Sequence, residues 1–295
     1  MTCMICIQCE MLPKEGALPI ERYPEIDEVV AYIHRHLDEP LTLDRLARYA
    51  AYSPYHFTRV FKERIGLSPQ YYVSALRMQK AKELLLHTNM KVRDIAMEIG
   101  QNSLGTFTTR FTERIGVTPA DFRNSAHQAN RHLLELRDLR NFGDPGDFRR
   151  QEPSFWVSRL PAGCGQVEGT ITAEAPFEGV VLIGLFAKPI PEGIPLHGTL
   201  TRLPSPATFR FENVKPGTYY LMATSVSWSM QANDMLLPQA TLRTRSRQPI
   251  VVGPCSPFHN LEVRLYPPRL DDPPILISLP LLMKRFLHRA EQAAR

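Results

Sequence analysis

The phrase Phe57-Thr-Arg-Val-Phe61-Lys-Glu63-Arg64-Ile65-Gly66-Leu-Ser-Pro69 returns fifty residues later as Phe107-Thr-Thr-Arg-Phe111-Thr-Glu113-Arg114-Ile115-Gly116-Val-Thr-Pro119. Unrelated helices share a period, but not the same glycine, proline and Glu-Arg pair at the same places, so one supersecondary unit is built twice. Two copies of a unit predict a bipartite surface.

From Pro24 to about Arg140 apolar residues recur at three- and four-residue spacing, the period of helices with one buried face. The first helix is expected over about 24–38. Thr42 precedes the apolar-periodic run Leu43, Leu46, Ala47 and Ala50, and Ser53-Pro54 then supplies an N-cap and a first-turn proline for a helix to about Ile65. Ser68-Pro69 starts a helix to about His87; Lys91 to Ile99 repeats the short helix, Gly100 turns the chain into Ser103 to Ile115, and Thr118-Pro119 opens a last helix through Phe122.

A short helix, a tight turn and a longer helix, made twice, read as a pair of helix-turn-helix elements. The helix joining them measures roughly 28 Å at 1.5 Å per residue. One turn of B-DNA is about 34 Å, so such a spacer can present both second helices to successive major-groove segments without a dimer.

Composition agrees locally. The formal charge of the 295-residue chain is only +5, but residues 42–123 hold thirteen Lys/Arg against seven Asp/Glu, an excess that suits a polyanion. The bland alternative is a helical bundle whose Arg and Lys are merely a solvated face. Apolar residues make up 43%, ordinary for globular protein and enough for two cores.

In the first copy Phe57, Val60, Phe61 and Ile65 share a face, leaving Tyr55, Thr58, Arg59 and Lys62 opposite. Arg59 is the best base reader, because its planar fork can give two hydrogen bonds to guanine, worth about 1–3 kcal/mol of discrimination. Tyr55, His56 and Thr58 complete the expected base-reading set. In the second copy the outward positions are Leu104, Gly105, Thr106, Thr108, Thr109 and Thr112, without long donors. Short hydroxyls reach a phosphate or a thymine methyl, so the first unit is expected to carry most sequence specificity and the second to position the protein. Phosphate contacts are assigned to Ser53, Lys62, Ser103 and Arg110. Gly105 costs its helix about 1 kcal/mol relative to alanine, a cost that close approach of the backbone to DNA would offset.

These residues resemble the AraC/XylS-type transcription regulators over about Pro24 to Arg123. The pattern is carried by Leu46-Ala47, Phe57-x-Arg59-x-Phe61-Lys62, Gly66-x-Ser68-Pro69, Arg77-x3-Ala81, Leu84-Leu85, Ile95-Ala96, Gly100, Phe107, Arg110-Phe111, Gly116-x-Thr118-Pro119 and Arg123. The resemblance implies a seven-helix DNA-binding domain whose two recognition helices enter adjacent major grooves of double-stranded DNA. It also implies control of transcription initiation, with RNA polymerase as a partner. Gln101 departs from the family's usual aromatic residue, as does the Gly105-Thr106 pair, which bears on base reading by the second unit. The order departs too, since the sensor commonly precedes this domain.

After a stretch rich in Gly143, Asp144, Pro145, Gly146, Pro153 and Pro161, runs of Val, Ile, Phe and Tyr separated by Gly and Pro predict an antiparallel β-domain. The runs are Val167–Ala173, Val180–Lys188, Thr208–Phe211, Tyr219–Val226, Ile250–Val252 and Leu261–Tyr266. Phe209-Arg-Phe211 and Val214-Lys-Pro-Gly217 followed by Tyr219 resemble a hairpin of a transthyretin-like or carboxypeptidase-regulatory-like β-sandwich, a fold that usually binds or assembles. The expected fold is therefore multidomain α plus β: a tail over 1–20, an all-α domain with two helix-turn-helix units over 21–140, a linker over 141–165, a β-sandwich over 166–268 and a C-terminal segment over 269–295.

Trp228, Met222, Met230 and Met235 suit either an effector pocket or simple core. Arg243, Arg245 and Arg247 alternate, and suit an acidic ligand, extra DNA or a solvated edge strand, the last being the default. Leu281, Leu282, Phe286, Leu287 and Ala290 form an apolar stripe in a final helix, for packing within the chain or for a homodimer.

No catalytic residue, cofactor or metal is expected. Cys3, Cys6 and Cys9 have no evident fourth ligand, Cys164 and Cys255 have no neighbouring base, and the odd cysteine set suits a reducing cytoplasm. The start lacks the character of a signal peptide, and Pro274 to Leu287 is broken by Pro280 and charged by Lys284 and Arg285, so no membrane span is expected. The function expected is a DNA-binding regulator whose β-domain senses a small-molecule effector or mediates assembly. The alternatives are a DNA-tethered protein-interaction module and a thiol- or metal-dependent regulator of the DNA-repair type.

Overall fold

A computed structural model describes residues 23–139, 165–203, 207–253 and 259–293. In chain order it has α1 (Pro24–Arg35), α2 (Leu43–Tyr49), α3 (Pro54–Ile65), α4 (Pro69–His87), α5 (Val92–Glu98), α6 (Leu104–Ile115), α7 (Pro119–Arg123) and α8 (Ala126–Asp138). There follow β1 (Gly165–Ala173), β2 (Gly179–Phe186), β3 (His197–Leu203), β4 (Ala207–Val214), β5 (Gly217–Ser227), α9 (Ala232–Leu236), β6 (Arg243–Arg245), β7 (Ile250–Val252), β8 (His259–Leu265) and α10 (Leu279–Ala293).

Helix starts follow the local chemistry. The side chains of Thr42, Ser53, Ser103 and Thr118 accept from the amides of Arg45, His56, Thr106 and Asp121 at 3.2, 3.4, 3.3 and 3.2 Å. Each cap satisfies one of the amides that a helix start leaves without a partner. Gly66 and Gly116, both at φ 89°, end α3 and α6 in the left-handed region.

The two copies are in register except in one turn. α2 and α5 start at 43 and 92, while α3 and α6 start at 54 and 104, so the second turn is one residue longer. The left-handed residue of the turn is Ala51 at φ 55° in the first copy and Gly100 at φ 76° in the second.

One core holds α1 to α7: Phe57, Phe61, Tyr72, Phe107, Phe111 and Phe122 are fully buried in it, joined by Ile190, Leu236 and Leu276 from the second half. α1 stops at Arg35, short of the expected 38. α8 was not separated from the helical region by its sequence; it packs through Ala129, Leu133 and Leu136 with α9, α10 and the outer face of β2, β3 and β5, and only its first residue, Ala126, also touches the core of the first seven helices.

The β-region is two sheets facing across a shared core, one ordered β4-β1-β8 and the other β3-β2-β5-β6 with β7 also paired to β5. Three expectations are corrected. The region is not wholly antiparallel, because β1 and β8 pair in parallel from Val167–His259 to Ala173–Leu265. β4 and β5 are not a hairpin: β4 pairs with β1 and β5 with β2, so the Lys215-Pro216 corner carries the chain from one sheet to the other. The burial patterns explain it, since β4 alternates buried and exposed and has one wet face, while β5 is buried on both sides and needs cover on both. β1 begins at Gly165, inside the expected linker, and β3 was not foreseen.

The alternating arginines are also corrected. Arg243 is buried and the side chain of Arg245 nearly so, not a solvated edge: Arg243 donates to Pro238 O at 2.6 Å, Arg245 Nε to Asp272 at 3.3 Å, and Arg247 to Asp271 at 2.7 Å. Asp271 and Asp272 belong to a strap, residues 269–278, between β8 and α10. The stripe Leu282, Phe286, Leu287 and Ala290 on α10 packs within the chain. Cys3, Cys6, Cys9, Cys164, Cys255 and the stretch 141–164 lie outside the described residues.

Candidate nucleic-acid interface

The inward face of α3 buries Phe57, Val60, Phe61 and Ile65, and that of α6 buries Phe107, Phe111 and Ile115. Burying an aromatic side chain is worth about 1.5–3 kcal/mol, so in each copy this face fixes the rotation of the helix and hence which residues look outward.

On α3 those are Tyr55, 85% exposed, Arg59 and Lys62, with His56 and Thr58 partly covered. Arg59 lies 3.4 Å from His56 Nδ1 and 3.7 Å from Glu63, contacts of a half-exposed side chain that water screens and that a better acceptor can displace. His56 stands edge-on to the Tyr52 ring at 4.7 Å, which orients its imidazole. Thr58 donates to Pro54 O at 2.8 Å, so its hydroxyl proton is spent inside the helix and the oxygen is left as an acceptor. Ser53 is occupied as an N-cap, at the exposed start of the same helix.

On α6 the exposed residues are Leu104, Gly105, Thr106, Thr109, Arg110 and Glu113, with Thr108 and Thr112 partly covered. Thr112 donates to Thr108 O at 2.8 Å. A Cβ on Gly105 would find nothing nearer than Ser103 Oγ at 4.0 Å, so nothing within the described chain requires glycine there. Arg110 donates to Gln101 Oε1 at 3.1 Å, a tether that helical periodicity could not reveal because it crosses the turn. Ser103 caps α6 as Ser53 caps α3. The structure thus brings Tyr55, His56, Arg59 and Lys62 onto one exposed face, and Gly105, Thr106 and Thr109 onto another.

Two spaces lie in the second half and at its junction with the first. A cavity of about 50 Å³ sits between β2, β5 and the strap, lined by Leu182, Met222, Arg243, Tyr266, Ile275 and Leu282. Trp228, Met230 and Met235 belong to the core under α8 and α10 and do not line this cavity, so Met222 does not share it with them. An open crevice of about 680 Å³ lies between α4, α6 and residues 186–196, and three of its charges pair with one another: Glu192 holds Arg114 at 2.6 Å and Lys188 at 3.0 Å, and accepts from Tyr71. Burial opposes ionisation of Glu192, but the charge of Arg114 and hydrogen bonds from Tyr71 and Lys188 outweigh it and hold the carboxyl below its ordinary range. Among the described residues no group of three or more His, Cys, Asp or Glu could hold a metal ion, and no helix is long and apolar enough to cross a membrane.

Residues 46–125 match the family described as a helix-turn-helix domain. This stretch is a DNA-binding domain of the AraC type. An uncharacterized HTH-type transcriptional regulator, YobQ of Bacillus subtilis, is 37% identical over 98 residues, 33% of this chain and 41% of its own length. The bifunctional transcriptional activator/DNA repair enzyme AdaA of the same organism is 35% identical over 118 residues, 40% of this chain and 54% of its own length. Among solved structures, the C-terminal domain of AraT, a response regulator from Geobacillus stearothermophilus, is 31% identical, covering 36% of this chain and 88% of that one, with a TM-score of 0.33. The chain thus spans about half the length, or less, of the curated relatives it matches.

Proposed function

We propose that the protein is a sequence-specific DNA-binding transcription regulator in which two helix-turn-helix units present α3 and α6 to adjacent major-groove segments. The observation that carries this reading is the pairing of two helices that bury the same Phe, Phe and Ile with two exposed faces, one of which displays Arg59 held only by weak surface contacts. Arg59 reads a guanine, Tyr55 and His56 contact neighbouring bases, and Lys62, Ser53, Ser103 and Arg110 meet phosphates. Thr106 and Thr109 position the second unit, and RNA polymerase is the downstream partner of the bound protein.

The two-sheet region is a sandwich of the transthyretin-like kind in this reading. Its internal cavity of 50 Å³ is far below the roughly 300–1,000 Å³ of small-molecule sites, so an effector has no room between β2, β5 and the strap; the 680 Å³ crevice beside α4 and α6 is within that range.

Selection from random DNA with the full chain tests the assignment. Arg59→Ala should erase preference at one base pair, a loss of about 1–3 kcal/mol in discrimination. Thr109→Ala should weaken all sequences alike. Equal loss of specificity from both substitutions sinks the division of labour between the units.

A further inference from the structure

Arg64 and Arg114 are the same residue of the repeated phrase, in the last turn of α3 and of α6. Neither side chain faces the surface on which Arg59 or Thr109 stands; they are only 10% and 12% exposed. Each meets a carboxylate from the second half of the chain: Arg64 Nη1 donates to Asp271 Oδ2 at 2.7 Å, and Arg114 Nε to Glu192 Oε2 at 2.6 Å. One interaction is thus made twice, by equivalent residues, with different partners.

The backbone repeats the arrangement. The last carbonyls of a helix have no partner within it. At the end of α3, Arg245 Nη1 donates to Ile65 O at 2.7 Å, placing a cation at the negative end of the helix dipole. At the end of α6, Ser278 N donates to Ile115 O at 2.9 Å and Gly193 N to Arg114 O at 2.7 Å. The two left-handed glycines seat the same body: a Cβ on Gly116 would come within 2.5 Å of Leu281, and one on Gly66 within 3.5 Å of Pro189. Midway between, buried Lys82 of α4 donates to Ile275 O at 3.0 Å.

The receiving elements are tied to one another as well as to the helices. Leu276 N and Ile277 N both donate to Pro191 O, at 3.0 and 3.1 Å, which locks the strap to the loop that carries Glu192. Arg245 of β6 is bonded to Asp272 of the strap. The ends of α3 and α6 therefore rest on a single cross-linked surface, and α4 is pinned to it between them.

We propose that the second half of the chain is a brace that fixes the separation and relative rotation of α3 and α6, and so sets the half-site spacing the protein accepts on DNA, with Arg64–Asp271 and Arg114–Glu192 as its positioning pairs. This rests on the reading of α3 and α6 as the helices that enter DNA. Adding one base pair between half-sites turns one relative to the other by about 35° and shifts it by about 3.4 Å. Two units on a compliant joint follow such a change, and two braced units do not.

Random-sequence selection with the full chain first defines the preferred site. Affinity is then measured on that site and on versions with one central base pair added or removed, for the unaltered chain, Asp271→Asn, Glu192→Asp and the double substitution Asp271→Asn with Glu192→Gln. Glu192→Asp keeps the charge and only withdraws the carboxylate, so it stays usable should the double substitution fail to melt cooperatively. The unaltered chain should lose about tenfold in affinity at either altered spacing, the size of a typical single mismatch. The substituted chains should lose about threefold or less there while holding the preferred spacing nearly as well. Folded variants that keep the tenfold penalty overturn the brace alone; an unaltered chain that selects no site overturns the DNA reading and the brace with it.

Discussion

In α3 the exposed face carries Tyr55, Arg59 and Lys62, whereas the same positions of α6 carry Gly105, Thr109 and Thr112. The inward faces diverge far less: Phe57, Phe61 and Ile65 are matched by Phe107, Phe111 and Ile115, all fully buried, and only buried Val60 is replaced, by the exposed Arg110. The aromatic pairs even keep their geometry, with ring centroids 5.5 Å apart in the first copy and 5.6 Å in the second. A duplicated unit has thus kept what determines its shape and changed what it displays. Packing tolerates few alternatives at a buried aromatic position, while a solvent face is constrained only by what it binds.

If the shared scaffold is equally important in both copies, Phe57→Ala and Phe107→Ala should each cost about 3–5 kcal/mol, measured by urea denaturation. A large inequality would break the equivalence and point to one copy as the more rigid. Lys82, on the helix that joins the copies, comes next. Burial lowers its ammonium from 10.5 to about 7, with Glu83 opposing. The unfolded chain therefore binds the extra proton between about pH 7 and pH 10.5, and stability owed to this site rises across that window. Lys82→Met should stabilise the protein most at pH 6, and its advantage should shrink as the pH is raised to 10; an advantage independent of pH would show that the amine is not held in this way.

A smaller effect separates the outward faces. Gly105→Ala has room in the free protein and should stabilise α6 by about 1 kcal/mol in thermal melts, yet weaken DNA binding if the backbone approaches a phosphate or base there. Gains in both would remove the reason for a glycine at this place. The smallest effect belongs to the turn. Ala51 holds the left-handed conformation that Gly100 adopts in the second copy, so Ala51→Gly should gain about 1 kcal/mol or less, the steric relief exceeding the added chain entropy. A loss would mean that Ala51 contributes something its partner residue does not.

Much of the first half was legible because its signals are local. Ser53-Pro54, Ser68-Pro69 and Thr118-Pro119 mark helix starts within one residue of those observed, since a cap and a first-turn proline act on their own neighbours. The outward face of α3 follows from the same periodicity. Sheet partners were less legible: the Val214 to Tyr219 stretch looks like a hairpin, and only the demand of β5 for cover on both faces sends it to the other sheet. β3 hides behind Gly198, Thr199 and Arg202, which weaken its apolar rhythm. The anchors were not legible at all, because Asp271 and Glu192 lie 207 and 78 residues from the arginines they hold. An acidic residue on a loop carries no mark of a distant partner.

The strap also has a place in time. Chains are made from the N-terminus and domains tend to fold as they emerge, so α1 to α7 are synthesised before residues 269–278, whose Leu276 joins their core. Until then the ends of α3 and α6 have neither Asp271 nor the amide of Ser278 to rest on. A nascent chain can thus hold α3 and α6 before the contacts that tie their ends to the strap can form.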